Sequence, residues 1–288
     1  MRPLLLMACL LAGFQCLAQP LPAWQGSEGL QHSRLGQALD ISNGQWLDAQ
    51  ALVRRVAEAD RLLVGERHDN PDHQALQFWL LQALHERRMQ QALLLEMLTP
   101  AQQPALRQLD ASAAQRTDLD ELLDWSPGWN WQAYAPLLRW GLQQGVGLYP
   151  ANIDRALIGQ LYREPPPLLP VYADEALDGL RATIAASHCR ELPPKQVEAM
   201  LAIQQARDQA MAAALLTAPV PAMLVAGSFH VRHDLGVPLY WPEDQPRPLV
   251  IVLLEAGEAL PNSLPADFVW ITPAQPEQDY CAGMAEAD

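Results

Sequence analysis

The chain is short of positive charge. Of its 288 residues, 19 are Lys or Arg against 33 Asp or Glu, and Lys195 is the one lysine. A formal charge of −14 repels polyphosphate backbones and anionic headgroups. That excludes nucleic acid and anionic lipid as bulk partners. Charged residues make up only 18% of the chain while half of it is hydrophobic, so the composition is not that of a disordered polymer. No segment after the first eighteen residues has the ~20 consecutive apolar residues of a membrane-spanning helix. Cysteine is scarce as well. The four cysteines include no C-x-x-C pair, which excludes a structural zinc site built from them. No solenoid-type repeat is visible.

What is present begins with a leader. Met1 to Ala18 has one positive charge, an apolar run and then small residues ending in "CLA". This is the pattern of a secretory signal cleaved after Ala18. Cys9, after "LMA", and Cys16, after Gln15, leave lipid attachment as the alternative. The expectation is an exported, periplasmic protein, with anchoring to the outer membrane as the variant. Loss of the leader removes only Arg2 from the charged set. The remaining cysteines, Cys189 and Cys281, either pair in an oxidising compartment or stay as thiols.

Residues 19–288 read as a single α/β domain with a mostly parallel central sheet flanked by helices. Apolar runs recur at 61–66, 92–97, 145–152, 222–230, 249–255 and 267–272. They are continuous rather than alternating, as in strands buried on both faces of a parallel sheet. Helical patterns lie between them. One begins at Asn70, with Pro71 at the first helical position and Asp72 at the positive end of the dipole. Leu76, Trp79, Leu80, Ala83 and Leu84 form its apolar stripe. Another long helix follows Pro193 and Pro194. The 25 prolines mark frequent chain breaks. The Trp- and Pro-rich middle, roughly 118–190, reads as a helical insertion or lid.

The chemistry gathers at strand ends. Gly-x-x-His occurs as "GERH" (65–68) and "GSFH" (227–230), each closing an apolar run. Ligands of open α/β sheets bind beyond the carboxyl ends of strands, so two such histidines can converge. A lone His there is more often a hydrogen-bonded structural residue, and "GLQH" (29–32) matches without a strand. Two at matching places, with Glu66 nearby and Glu96 and Asn152 ending other runs, point to a shared crevice. His68, Glu96 and His230 suit a divalent metal such as Mn, Co or Zn, with Asp69, Asn70 or Asp234 orienting the rings. Asn70 also reads as a plain helix cap. His73 falls in the first helical turn, either as a ligand or simply solvated. Arg232 and Asp234 fall on one side with His230 if the chain there is extended, where Arg232 can meet a carboxylate, or they pair to stabilise a turn. His233 then points outward to the surface. "DWSPGWNWQAYAP" (124–136) either forms core or walls a flat apolar ligand. Tyr134 or Tyr149 is a candidate axial ligand to ferric haem. Gln204 and Asp208, one turn apart on the long helix with Arg207 between, form either a solvated stripe or a wall of the crevice.

"LVGERHDNPDHQ", "LLLEM", "DWSPGWNWQAYAP", "ANIDR", "SHC", "QQARDQAMA" and "AGSFHVRHDLGVP" occur in an order and spacing that resembles the ChaN family. The resemblance covers nearly all of the chain after the leader. It implies a secreted bacterial haem-binding protein of iron acquisition, grouped with Tiki, TraB and erythromycin esterase proteins. It marks Glu66, His68, Glu96, His230 and Arg232 as the pocket, and His73, Asn152, Arg155, His188, Arg207 and Asp208 as further motif positions. The chain departs from the family pattern at Gln74, where a second His is expected, and at Phe229, where a smaller residue is expected. The implied cofactor is haem, bound through His68, His73, Tyr134, Tyr149, Arg155 and Arg232. The implied partner is an outer-membrane or periplasmic haem transporter component, with a homodimer left open. The alternative is a divalent-metal-dependent hydrolase of the Tiki or erythromycin-esterase type. In it Glu66 and His230 are catalytic, and His68, Glu96 and His230 hold the metal.

Overall fold

In the computed structural model, which describes residues 19–258, 265–276 and 281, eight strands form one sheet. The leader Met1 to Ala18 lies outside the described residues. In chain order the elements are β1 (Ala38–Asp40), β2 (Gln45–Leu47), α1 (Ala49–Val56), β3 (Arg61–Glu66), α2 (Pro71–Arg87) and β4 (Ala92–Leu95). There follow the short α3 (Gln103–Leu106) and α4 (Leu119–Leu122), α5 (Trp131–Gln144), β5 (Gly147–Pro150), α6 (Arg155–Arg163), α7 (Asp174–Ser187) and α8 (Pro194–Thr217). Last come β6 (Ala222–Gly227), α9 (Ser228–Val231), β7 (Leu249–Glu255) and β8 (Phe268–Thr272).

The sheet order is β2-β1-β8-β7-β3-β6-β4-β5. β3 to β8 run parallel, and β1 and β2 add an antiparallel edge. The continuous apolar runs follow from burial on both faces. Leu62, Val64, Leu93, Leu95, Met223 and Val225 face one core, with α1, α2 and α5. Their neighbours Leu63, Leu94, Leu224 and Ala226 face the other, with Met211 and Leu215 of α8. Alternate side chains leave a strand on opposite sides, so a strand covered twice needs no polar position.

β6 enters the sheet between β3 and β4, although it follows them by more than a hundred residues. The carboxyl ends of these three strands therefore lie side by side, with Glu66 in register with Gly227 and the Glu96 N–H bonded to the Val225 carbonyl. The segment read as a helical insertion holds α4 to α7, but also β5, the edge strand paired with β4. Cys189, just after α7, and Cys281 are joined as a disulfide.

Candidate functional site

α2 is aimed by its first turn. Asn70 accepts the Asp72 N–H as its cap and donates to the Glu255 carboxylate and the Pro273 carbonyl. Asp72 accepts the backbone N–H groups of Gln25 and Gly26 and so pins the N-terminal segment. His73 is fully buried. Its Nδ1 accepts the Arg67 N–H at 2.8 Å and its Nε2–H donates to Thr272 Oγ1 at 2.9 Å. Burial, then the charges of Arg67 and His68, push its pKa down to about 3. With both nitrogens engaged in a neutral ring, His73 is neither a ligand nor solvated; it is a buckle between β3, α2 and β8.

Glu66 closes β3 and is buried. It accepts from Tyr134 Oη at 2.5 Å, from Gln74 Nε2 at 2.8 Å and from His68 Nδ1 at 2.9 Å. The His68 ring is thereby oriented with Nε2 toward Glu96, 3.7 Å from its Oε2. Its side chain is 39% exposed, against 6% for His230 and 2% for Glu96. The Trp129 ring packs edge-on to it at 4.8 Å. Desolvation works against the charged imidazole, but the Glu66 hydrogen bond and the charges of Glu96 and Glu66 outweigh it, so its pKa lies above the usual value.

His230 is buried in the helical turn α9. Its Nδ1 donates to Asp208 Oδ1 at 2.6 Å, with the Gln204 amide 3.0 Å from the same nitrogen. Its Nε2 is 3.4 Å from Glu96 Oε1. Burial opposes its charge, yet Glu96 and Asp208 outweigh burial and hold the pKa well above the usual value. Glu96 is the mirror case. Burial opposes ionisation, but His230, His68 and the Gly227 N–H on Oε2 (2.8 Å) hold its pKa far below the usual carboxylate range. Asp208, with burial dominant, is pushed up to about 6.

The chain thus brings Glu66, His68, Glu96 and His230 together, with Asp208 and Gln204 as the groups that hold His230. The ring-orienting carboxylates are Glu66 and Asp208, not the expected Asp69, Asn70 or Asp234. Asp69 pairs with Arg67, and Asp234 grips Arg232 through two hydrogen bonds. Residues 230–234 do not run extended from His230. The turn at Ser228–Val231 lets Ser228 Oγ donate to the Glu66 carbonyl at 3.0 Å and packs Val231 against Gly65. His233 is partly exposed and pairs with Asp267. Asn152 is buried and holds the Glu96 carbonyl. His188 caps α7 through Ile184.

Neither candidate tyrosine opens onto the crevice. Tyr134 is buried with its hydroxyl on Glu66, and burial and then Glu66 push its pKa far up. Tyr149 packs against the apolar cluster under α8. Arg155, exposed at the start of α6, donates to Ser126 Oγ. Gln74 and Trp129 had no sequence signal as partners of Glu66 and His68 beyond a first-turn position and an aromatic-rich loop. Among the described residues, no group of three or more His, Cys, Asp or Glu is arranged to hold a metal ion. His68 and His230 each have both ring nitrogens facing carboxylates, and His230 is the more tightly enclosed of the two.

The crevice over His68 and His230 has a volume of about 460 Å³ and is also lined by Arg67, Gln204, Ser228 and Phe229. A larger cavity of about 690 Å³ opens beyond the ends of β4 and β5, and Trp129 lines it.

The family model described as haem-binding uptake, Tiki superfamily, ChaN, matches residues 52–240. The structure described as cofacial heme binding to ChaN of Campylobacter jejuni is 24% identical, with a TM-score of 0.73 over 81% of this chain and 95% of that one. An erythromycin esterase mutant, EreC H289N in its open conformation, is 14% identical with a TM-score of 0.45, covering 84% of each chain. The type III effector HopBA1 is 16% identical with a TM-score of 0.41, covering 77% and 92%. No match is found among curated proteins.

Proposed function

Because the chain belongs to the ChaN family of haem-binding uptake proteins in the Tiki superfamily, we propose that it binds haem in the crevice over β3 and β6, with His68 as the group that meets the iron. The observation that carries this reading is the exposure of His68 at the centre of a buried polar network. Glu66 fixes the ring by its Nδ1, so Nε2 is the nitrogen left without a hydrogen bond, 3.7 Å from Glu96 Oε2. A carboxylate on the far nitrogen orients a ligating imidazole and raises its basicity, and an imidazole is a common axial ligand to haem iron.

The residues present fit the group. The crevice falls within the ~300–1,000 Å³ usual for small-molecule sites. Phe229, 39% exposed, and Trp129 offer apolar ring surface beside His68. Haem supplies the iron; the chain holds and orients it and keeps the imidazole in one tautomer.

The finer reading places this binding in haem or iron acquisition by an exported, periplasmic protein that hands haem to a transporter component. The Cys189–Cys281 disulfide supports an oxidising compartment, and Met1 to Ala18 fits a signal or lipoprotein leader.

Titration of the purified protein with hemin tests the reading. A Soret shift saturating near one haem per chain is expected, and His68→Ala should weaken binding by about tenfold or more. Absence of any shift with the unaltered protein would remove the proposal. Iron competes with a proton for Nε2, and the His68 pKa is raised, so affinity should fall with acid through and below neutrality. One-proton linkage limits the slope to about tenfold per pH unit. A flat profile from pH 8 to pH 5.5 would count against His68 as the ligand.

A further inference from the structure

The cations beside the crevice are already committed. Arg67 serves Glu255 at 2.6 Å, Glu258 at 3.4 Å and Asp69 at 3.5 Å. Arg232 is held by both oxygens of Asp234 and lies over the Phe229 ring at 5.8 Å. A ligand carboxylate arriving at either must displace a partner already in place.

Two guanidinium groups that make no hydrogen bond to a carboxylate among the described residues stand on the far side of Trp129. Arg155 and Arg207 both line the 690 Å³ cavity. Arg155 makes one hydrogen bond, to the neutral Ser126 hydroxyl. Arg207 has its Nε buried with no hydrogen-bond partner; the Asp208 carboxylate whose charge it feels is itself bonded to His230. A buried donor left unpaired is destabilising, so an arriving acceptor is favoured there. Asp124 and Asp154 line the same wall, but the one hydrogen bond of Arg155 goes to Ser126 and neither carboxylate reaches the buried Arg207 Nε. Asp154 instead accepts the Ala101 N–H at 3.1 Å. Trp125, Met97 and Ile158 supply apolar wall. Trp129 connects the two spaces, since it touches His68 and lines the cavity. α8 does the same, with Gln204 at the crevice and Arg207 nearly one turn on at the cavity.

We infer that this larger cavity is the subsite for the carboxylate-bearing edge of the bound porphyrin, with Arg155 and Arg207, not Arg232, as the cations that receive its propionates. The inference rests on the haem reading and adds to it a ligand class: a flat apolar ring carrying acidic side chains.

The test compares hemin with its dimethyl ester, which keeps the ring and iron and removes both negative charges. The unaltered protein should bind hemin about tenfold or more tighter than the ester, as charge-assisted hydrogen bonds to guanidinium allow. Arg207→Gln and Arg155→Gln should each shrink that preference by weakening hemin and leaving the ester unchanged. Arg155 is exposed, so its variant reports even if Arg207→Gln folds poorly. Arg232→Gln should retain the full preference. Equal affinity for the two porphyrins, or a preference lost in Arg232→Gln and kept in the other two variants, would overturn the subsite and leave haem binding standing. Failure of both porphyrins to bind the unaltered protein would overturn the haem reading and the subsite with it.

Discussion

Glu96 sits on the sheet axis of the site with one oxygen toward each imidazole, and the three groups titrate against burial in opposite directions. Its folded pKa is depressed, so its contribution to stability is present above the unfolded carboxylate value near ~4.3 and is lost as pH falls below that. His230 is raised, so its contribution is complete below ~6.5 and fades as pH rises toward its folded value. Glu96→Gln would leave His230 charged beside Asp208 alone, and breaking a buried pair of this kind costs about 3–5 kcal/mol. Chemical denaturation at pH 7 checks this, and a loss under about 1 kcal/mol would show that the network does not carry charge. His73 has the opposite slope from His230. It is neutral and lowered to about 3, so its stability is present above ~6.5 and lost as pH falls. His73→Gln should be less stable at pH 7 but flatter between pH 6.5 and pH 4. An unchanged slope would mean the ring is not the buried neutral group described. At this scale the residues read as candidates without partners. Tyr134 and Glu66 are 68 residues apart, and nothing in either neighbourhood says that the phenol serves the carboxylate rather than an iron.

The two Gly-x-x-His turns are made for each other. A Cβ on Gly65 would lie 2.4 Å from Val231 Cγ2 and 2.9 Å from Ser228 Cα, so the first glycine admits the second motif's turn. A Cβ on Gly227 would lie 2.9 Å from His68 Nε2, so the second glycine admits the first motif's ring. Gly227→Ala should therefore displace His68 and weaken hemin binding while costing only about 1–3 kcal/mol of stability. Normal hemin affinity in that variant would show that the ring has room to move. β3, β4, β6, β7 and β8 were legible because a doubly covered strand is apolar throughout, whereas β5 is a half-buried edge strand that lacks that full signal. α2 was legible down to its Asn70 cap and Pro71. β1 and β2 were not, since three residues carry no periodicity and their pairing depends on β8. The end of β6 was misread as extended, because the turn at Ser228 is fixed by contacts with β3 rather than by its own residues.

Across the whole molecule, the disulfide ties the end of α7 to a cysteine 92 residues further along the chain. Reducing agent should lower the thermal midpoint of the unaltered protein, and Cys189→Ser with Cys281→Ser should remove both that sensitivity and about 2–5 kcal/mol of stability. A midpoint indifferent to reductant would argue against the bridge. The amino-acid sequence by itself determined the class of fold, the doubly buried strands and the presence of two histidines at strand ends. These depend on local pattern and on which residues avoid water. Only the tertiary structure decided that β6 slots between β3 and β4, and hence that His68, Glu96 and His230 meet. It also decided that His73 and Tyr134 are internal fastenings and that Arg155 and Arg207 are the cations lining the larger cavity. Those outcomes depend on strand order and on competition among partners distant in sequence, which no short stretch of residues encodes.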